Sequence, residues 1–210
     1  MKRVYLYLEF GLLFFGLPLL LYFERKIIHP SILLLPVIVF VILMLRGDKD
    51  FSIGELFTLR IKRERWVRSI MVLVLATGML LAGTLLFEKE NLFNLPRRNP
   101  AVFIALCFFY PAFSAYTQEI IYRTFLFHRY GPIFSRQTVF ILASSISFSF
   151  LHIVYYSPVS MVLTLFAGLY LSYVYWQTKS VLFTTILHGI FGILVFAVGL
   201  GHYFWLDMPV

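Results

Sequence analysis

Cysteine is almost missing from this chain: 210 residues hold one, Cys107. No intramolecular disulfide can form, and in its apolar run Cys107 reads as a small buried hydrophobe. Charge is also scarce, at 13% of residues, where soluble domains average about 25%. Acids are the scarcer sign, 10 against 18 lysines and arginines, so the net charge is +8. On a soluble domain that excess would suggest nucleic acid. Here the basic residues cluster between apolar runs, where they orient helices and meet anionic lipid. No nucleic-acid motif is present, and no such partner is expected. The chain has no Gly-x-Ser-x-Gly elbow and no His-Glu-x-x-His pair, which disfavours serine hydrolysis and the common zinc-protease helix. It shows no internal repeat, so a transporter built of two similar halves finds no support.

Apolar surface is what the chain has in excess. It is 60% hydrophobic and 19% aromatic, with a mean hydropathy of +0.86. A core of this size cannot bury that much, so the remainder faces lipid. A spanning helix needs about 20 apolar residues. Seven stretches qualify: 4–23, 31–46, 69–87, 100–128, 138–156, 159–177 and 180–201. The fold class is therefore all-α, a polytopic transmembrane bundle of about seven helices, eight if an interfacial or split helix is counted. The fourth stretch should kink near Tyr110-Pro111, because proline removes a backbone hydrogen bond. Segment 51–66 mixes apolar and basic residues and reads equally as a surface helix or a solvated linker. The basic 46–68 segment, the Arg129/Arg136 loop and the Lys179 turn are expected on the cytoplasmic side with the N-terminus. The 24–30 and 88–99 loops and Asp207 then fall outside. Lys2 and Arg3 precede an apolar run without a small-x-small site near Phe23, so it reads as a retained helix. Residues 1–99 frame the chemistry and 100–210 carry it, in one integral membrane unit. Localisation is expected in a membrane, by habit of such short loops the bacterial inner membrane.

Polar residues inside the apolar stretches carry the functional signal. An ionisable side chain at membrane depth costs at least about 2.5–3.5 kcal/mol. Glu119 and Arg123 lie four apart and share a helical face, so they can pair. Gln118 and Tyr122 form the neighbouring face. His152 follows a run of small hydroxyl residues, Ser144, Ser145, Ser147 and Ser149, that allow close packing. His188 follows Thr184 and Thr185, and Gly189 and Gly192 admit a neighbouring backbone. Three helices each with a costly polar group need one another or water. Together they offer a carboxylate, a guanidinium and two imidazoles, the parts that activate water and hold an oxyanion. A structural ion pair between helices is the plain alternative for Glu119 and Arg123.

Residues 100–200 resemble the CAAX-prenyl endopeptidase and bacteriocin-processing family (CPBP, or Abi) of intramembrane proteases. That family carries Glu-Glu-x-x-x-Arg, Phe-x-x-x-His and His-x-x-x-Asn on three helices. The corresponding residues are Gln118-Glu119-x-x-x-Arg123, Phe148-x-x-x-His152 and His188-x-x-x-Gly192. The resemblance implies an intramembrane endopeptidase with a glutamate-activated water. Glu119, Arg123, His152 and His188 are then catalytic, and Gln118, Tyr122, Phe148 and Gly192 line the substrate site. No cofactor is expected; zinc is the alternative, with Glu119, His152 and His188 as ligands. Partners are a peptide or membrane-protein substrate and membrane lipid. Two departures matter. Gln118 stands where the family has its first glutamate, and an amide is no base, so Glu119 must take over across about 100° of helix. Gly192 stands where the family has Asn and removes an oxyanion donor. Straight helices would also offset Glu119 and His152 by about ten ångströms. A degenerate, non-catalytic binding or immunity partner of the same fold is the second reading.

Overall fold

The computed structural model describes residues 2–24, 30–134 and 136–205. Seven helices carry the fold: α1 (Arg3–Glu24), α2 (Pro30–Gly47), α3 (Arg63–Phe87), α4 (Pro100–Arg129), α5 (Gln137–Tyr155), α6 (Pro158–Thr178) and α7 (Val181–Val198). Among the described residues there is no strand. Six of these helices are long and apolar enough to cross a membrane; the described apolar part of α2 is the shorter Leu35–Gly47. This is an all-α polytopic bundle and an integral membrane protein. The 25–29 segment and Asp207 lie outside the described residues.

Local chemistry sets the helix starts. Ser157 Oγ accepts the Ser160 N–H at 3.2 Å and Pro158 fills the first turn of α6. Ser180 Oγ does the same for the Phe183 N–H at the head of α7. Each cap pairs a backbone donor that the helix itself leaves bare. Only Lys179, with φ 50°, separates Thr178 from Ser180, so α6 and α7 form a tight hairpin.

Segment 51–66 is not a surface helix but a largely exposed linker held by a few anchors. Residues Ile53–Phe57 make one 3₁₀ turn, the chain then extends, and α3 already begins at Arg63. The reason is a set of anchors. Leu56 is buried, Tyr116 Oη donates to its carbonyl at 3.0 Å, and Ser180 Oγ donates to the Thr58 carbonyl at 2.7 Å. The segment is thus pinned to the middle of α4 and the start of α7.

The second half of α4 is the axis of the bundle, buried without a break from Gln118 to Phe127. Helix α1 packs on it with Phe14 against Tyr122 at 5.4 Å and Phe10 against Tyr130 at 5.2 Å. Arg129 adds two hydrogen bonds to Glu9, both 2.9 Å, the bidentate form in which arginine binds carboxylates best. On the other side α5 meets α6 through small hydroxyls: Ser172 Oγ donates to Ser144 Oγ at 2.9 Å. Small residues let backbones approach where lipid supplies no hydrophobic drive.

Helix α4 is not regular. It widens into π turns at Tyr110–Ala115 and Ile120–Phe125. The first answers Pro111, whose ring would strike the carbonyl four residues back in an α-helix. A π bulge thus stands where the sequence leads one to expect a kink. Helix α7 comes in at this point, and only glycine permits it. A Cβ on Gly189 would lie 2.9 Å from Pro111 Cβ.

Candidate active site

Glu119 is the hub. Its side chain is fully buried; Oε1 lies 2.9 Å from His188 Nδ1 and Oε2 lies 3.4 Å from Arg123 Nε. Arg123, also fully buried, donates from Nη1 to Ser144 Oγ at 3.2 Å, and its guanidinium carbon sits 4.9 Å over the Phe148 ring. Ser144 in turn donates to the Tyr122 carbonyl at 2.7 Å. One carboxylate thus ties α4 to α7, and one guanidinium ties α4 to α5. Removing either partner would leave a buried charge unpaired, at a cost of about 3–5 kcal/mol.

The imidazoles are fixed in the same way. His152 Nδ1 lies 2.8 Å from the Phe148 carbonyl. Carbonyl and carboxylate oxygens only accept, so both Nδ1 atoms carry the hydrogen and a neutral ring keeps its lone pair on Nε2. Neither Nε2 has a hydrogen-bond partner among the described residues, and neither is sealed from the adjoining space. The Phe148 ring contacts both imidazoles, 5.0 Å from His152 and 5.3 Å from His188.

Both imidazoles border one cavity of about 170 Å³, with Gln118, Phe148, Tyr110 and Gly192. A second, largely apolar cavity of about 100 Å³ lies toward α1 and α2 against Phe14, Leu17 and Val41. Ser114, Gln118, His152 and Tyr155 border both. Gln118 Nε2 donates to Ser114 Oγ at 2.9 Å, while its Oε1 is buried without a partner.

The expected residues divide into three groups. His152, His188, Gln118, Phe148 and Gly192 meet at the first cavity. Tyr122 packs against Phe148 at 5.5 Å and borders only the apolar one. Glu119 and Arg123 border neither. The carboxylate proposed for the water therefore lies behind His188, on its Nδ1 side. Among the described residues no three His, Cys, Asp or Glu side chains gather to hold a metal ion. Glu119 lies on the Nδ1 side of His188, and both imidazole rings contact Phe148.

One residue escaped the sequence reading. A Cβ on Gly192 would lie 2.2 Å from Tyr110 Cε1 and 2.6 Å from Tyr110 Oη. The tyrosine fills the space that a side chain at 192 would need. Its ring is 5.9 Å from His188, and its hydroxyl has no hydrogen-bond partner among the described residues. In the sequence its signal is the glycine in place of Asn together with a tyrosine beside Pro111.

Fold and site together define a class: a helical integral membrane protein with a carboxylate, a guanidinium and two imidazoles joined inside the bundle. Residues 99–194, a little under half of the chain, match the family described as type II CAAX prenyl endopeptidase Rce1-like. The match spans all three motifs and bears out the resemblance drawn from them. No curated protein and no solved structure matches the chain significantly.

Proposed function

We propose that this chain is an intramembrane endopeptidase in which imidazole, rather than carboxylate, activates the water. The observation that carries the reading is the pair of Nδ1-anchored histidines with unpartnered Nε2 atoms on one cavity. Of the two, only His188 has a carboxylate behind it. Glu119 holds its tautomer and stabilises the imidazolium that forms when it takes a proton, the division of labour seen in acid–histidine dyads. His188 Nε2 removes the proton from water as the water oxygen bonds to the peptide carbonyl carbon. The Tyr110 hydroxyl, in the place left by Gly192, donates to the carbonyl oxygen as it becomes anionic. The His188 imidazolium then protonates the leaving amine as the C–N bond breaks. His152 and Gln118, which border the same cavity, orient the water, and no step is routed through a metal. Arg123 positions Glu119. The substrate is a membrane-embedded or membrane-anchored polypeptide. The localisation that fits is a bacterial inner membrane with the N-terminus in the cytoplasm, on the strength of the basic 46–68 segment.

A second reading rests on Gln118. It faces the histidines from the position of the family's first glutamate and cannot accept a proton. If the dyad does not compensate, the same cavity serves a non-catalytic partner protein that holds a peptide or membrane segment. The deciding experiment compares protein N-termini in membranes from cells carrying the wild-type chain, His188→Ala or Gln118→Glu. Endopeptidase activity predicts termini present with wild type and lost with His188→Ala. Identical termini in those two, with new ones only in Gln118→Glu, would leave the binding-partner reading.

A further inference from the structure

Away from both site cavities, α3 and α6 enclose a cleft of about 340 Å³ that shares no lining residue with either. Two hydrogen bonds bridge its walls. Arg65 Nη2 donates to Gln177 Oε1 at 2.7 Å, and Tyr170 Oη donates to Ser69 Oγ at 2.9 Å. The cleft has two chemically distinct parts. Arg65 and Arg68 stand at one end, and neither has an ion-pair partner among the described residues. Met71, Val72, Val174 and Phe183 make the rest apolar. Position along the helices matters as much as composition. Arg65 and Arg68 lie in the first two turns of α3 and Gln177 in the last turn of α6, so the cationic end sits where two spans end together. That is headgroup level, and the apolar floor runs inward from it.

We propose that this cleft binds one anionic phospholipid, its phosphate between Arg65 and Arg68 and one acyl chain along Met71, Val72 and Val174. Guanidinium groups bind phosphate through paired hydrogen bonds. Free phosphate would leave the apolar floor empty, and a zwitterionic lipid would bring its own cation to the two arginines. An anionic amphiphile satisfies both ends at once. The site also has a structural use. Helix α3 keeps most of its apolar side chains exposed, including Ile70, Val74 and Met79. A lipid wedged along it would hold it to α6 where few side chains do.

The test is native mass spectrometry of the full chain, titrated with dioleoyl phosphatidylglycerol, dioleoyl phosphatidylcholine or glycerol 1-phosphate. One phosphatidylglycerol per chain is expected, retained about tenfold or more over phosphatidylcholine, given two cations at the membrane surface. Glycerol phosphate should not bind. Arg65→Gln/Arg68→Gln should erase the preference. Met71→Trp, which fills the floor at an exposed position and keeps both arginines, should weaken phosphatidylglycerol retention as well. Equal retention of the two lipids by the wild type would overturn the proposal. So would binding of glycerol phosphate as tight as that of phosphatidylglycerol, or unchanged phosphatidylglycerol retention in Met71→Trp, which decides alone if the double variant does not fold.

Discussion

His188 and Glu119 share a 2.9 Å contact and act as one unit in the proposed mechanism, so substitutions at either should look alike in catalysis and differ in stability. His188→Ala and Glu119→Gln should each lower kcat by about 10²-fold or more with little change in KM. Glu119→Gln should also lower the melting temperature, because it strands the Arg123 charge, whereas His188→Ala strands none. Adding Arg123→Met to Glu119→Gln should restore thermal stability without restoring turnover; recovered turnover would sink the dyad. For Tyr110, the hydroxyl is what counts. Tyr110→Phe should cost about 10²-fold in kcat at unchanged folding. Gly192→Asn, by contrast, should unfold the chain or displace Tyr110, since its Cβ has no room. The chemical types at this site were legible in the sequence, because ionisable groups in apolar runs stand out. Which of Gln118 and Glu119 faces the histidines was not. That depends on the rotation of α4, which the bundle sets through Arg123 and His188 together.

At the level of elements, all seven apolar stretches became helices, since length and hydropathy are local properties. What escaped was the course of 51–66. Its conformation is fixed by Tyr116 and Ser180, more than 50 residues away in sequence, and no local pattern encodes that. Pro111 could be read as a kink, but not that α7 would press into it. This contact offers a test of element geometry. Gly189→Val should cost about 1–3 kcal/mol by overpacking against Pro111. It should also part α4 from α7, lengthen the Glu119–His188 contact and reduce turnover more than the stability loss explains. Wild-type turnover in a destabilised Gly189→Val chain would separate the bulge from the site.

Across the whole molecule, a cluster outside the spans ties the end of α3 to the chain after α7. Glu88 accepts from Tyr203 Oη and from Asn91 Nδ2 at 3.0 Å, and its Oε2 lies 3.3 Å from His202 Nε2. Burial pushes the Glu88 carboxyl up, but the Tyr203 and Asn91 hydrogen bonds and the His202 charge together hold it below its ordinary value of 4.5. A carboxyl depressed in the folded state stabilises the fold above its unfolded pKa, and the contribution fades as pH falls through the folded value. The melting-temperature gap between wild type and Glu88→Gln should therefore be open near neutrality and close below about pH 4.5. A gap independent of pH would place the effect in packing. The cytoplasmic assignment of the basic 46–68 segment belongs to this scale too, and cysteine labelling of Lys49→Cys in intact cells would test it.

The charge network also has a temporal side. Glu119 and Arg123 lie on α4, but the imidazole that takes one oxygen of that carboxylate lies on α7, some seventy residues later in synthesis. A carboxylate and a guanidinium left in hydrocarbon are costly. Until α7 has left the ribosome, α4 carries this buried carboxylate without its imidazole partner and with only Arg123 to offset it. The insertion machinery must shelter it, and a chain halted after α6 should be a target for quality-control proteolysis.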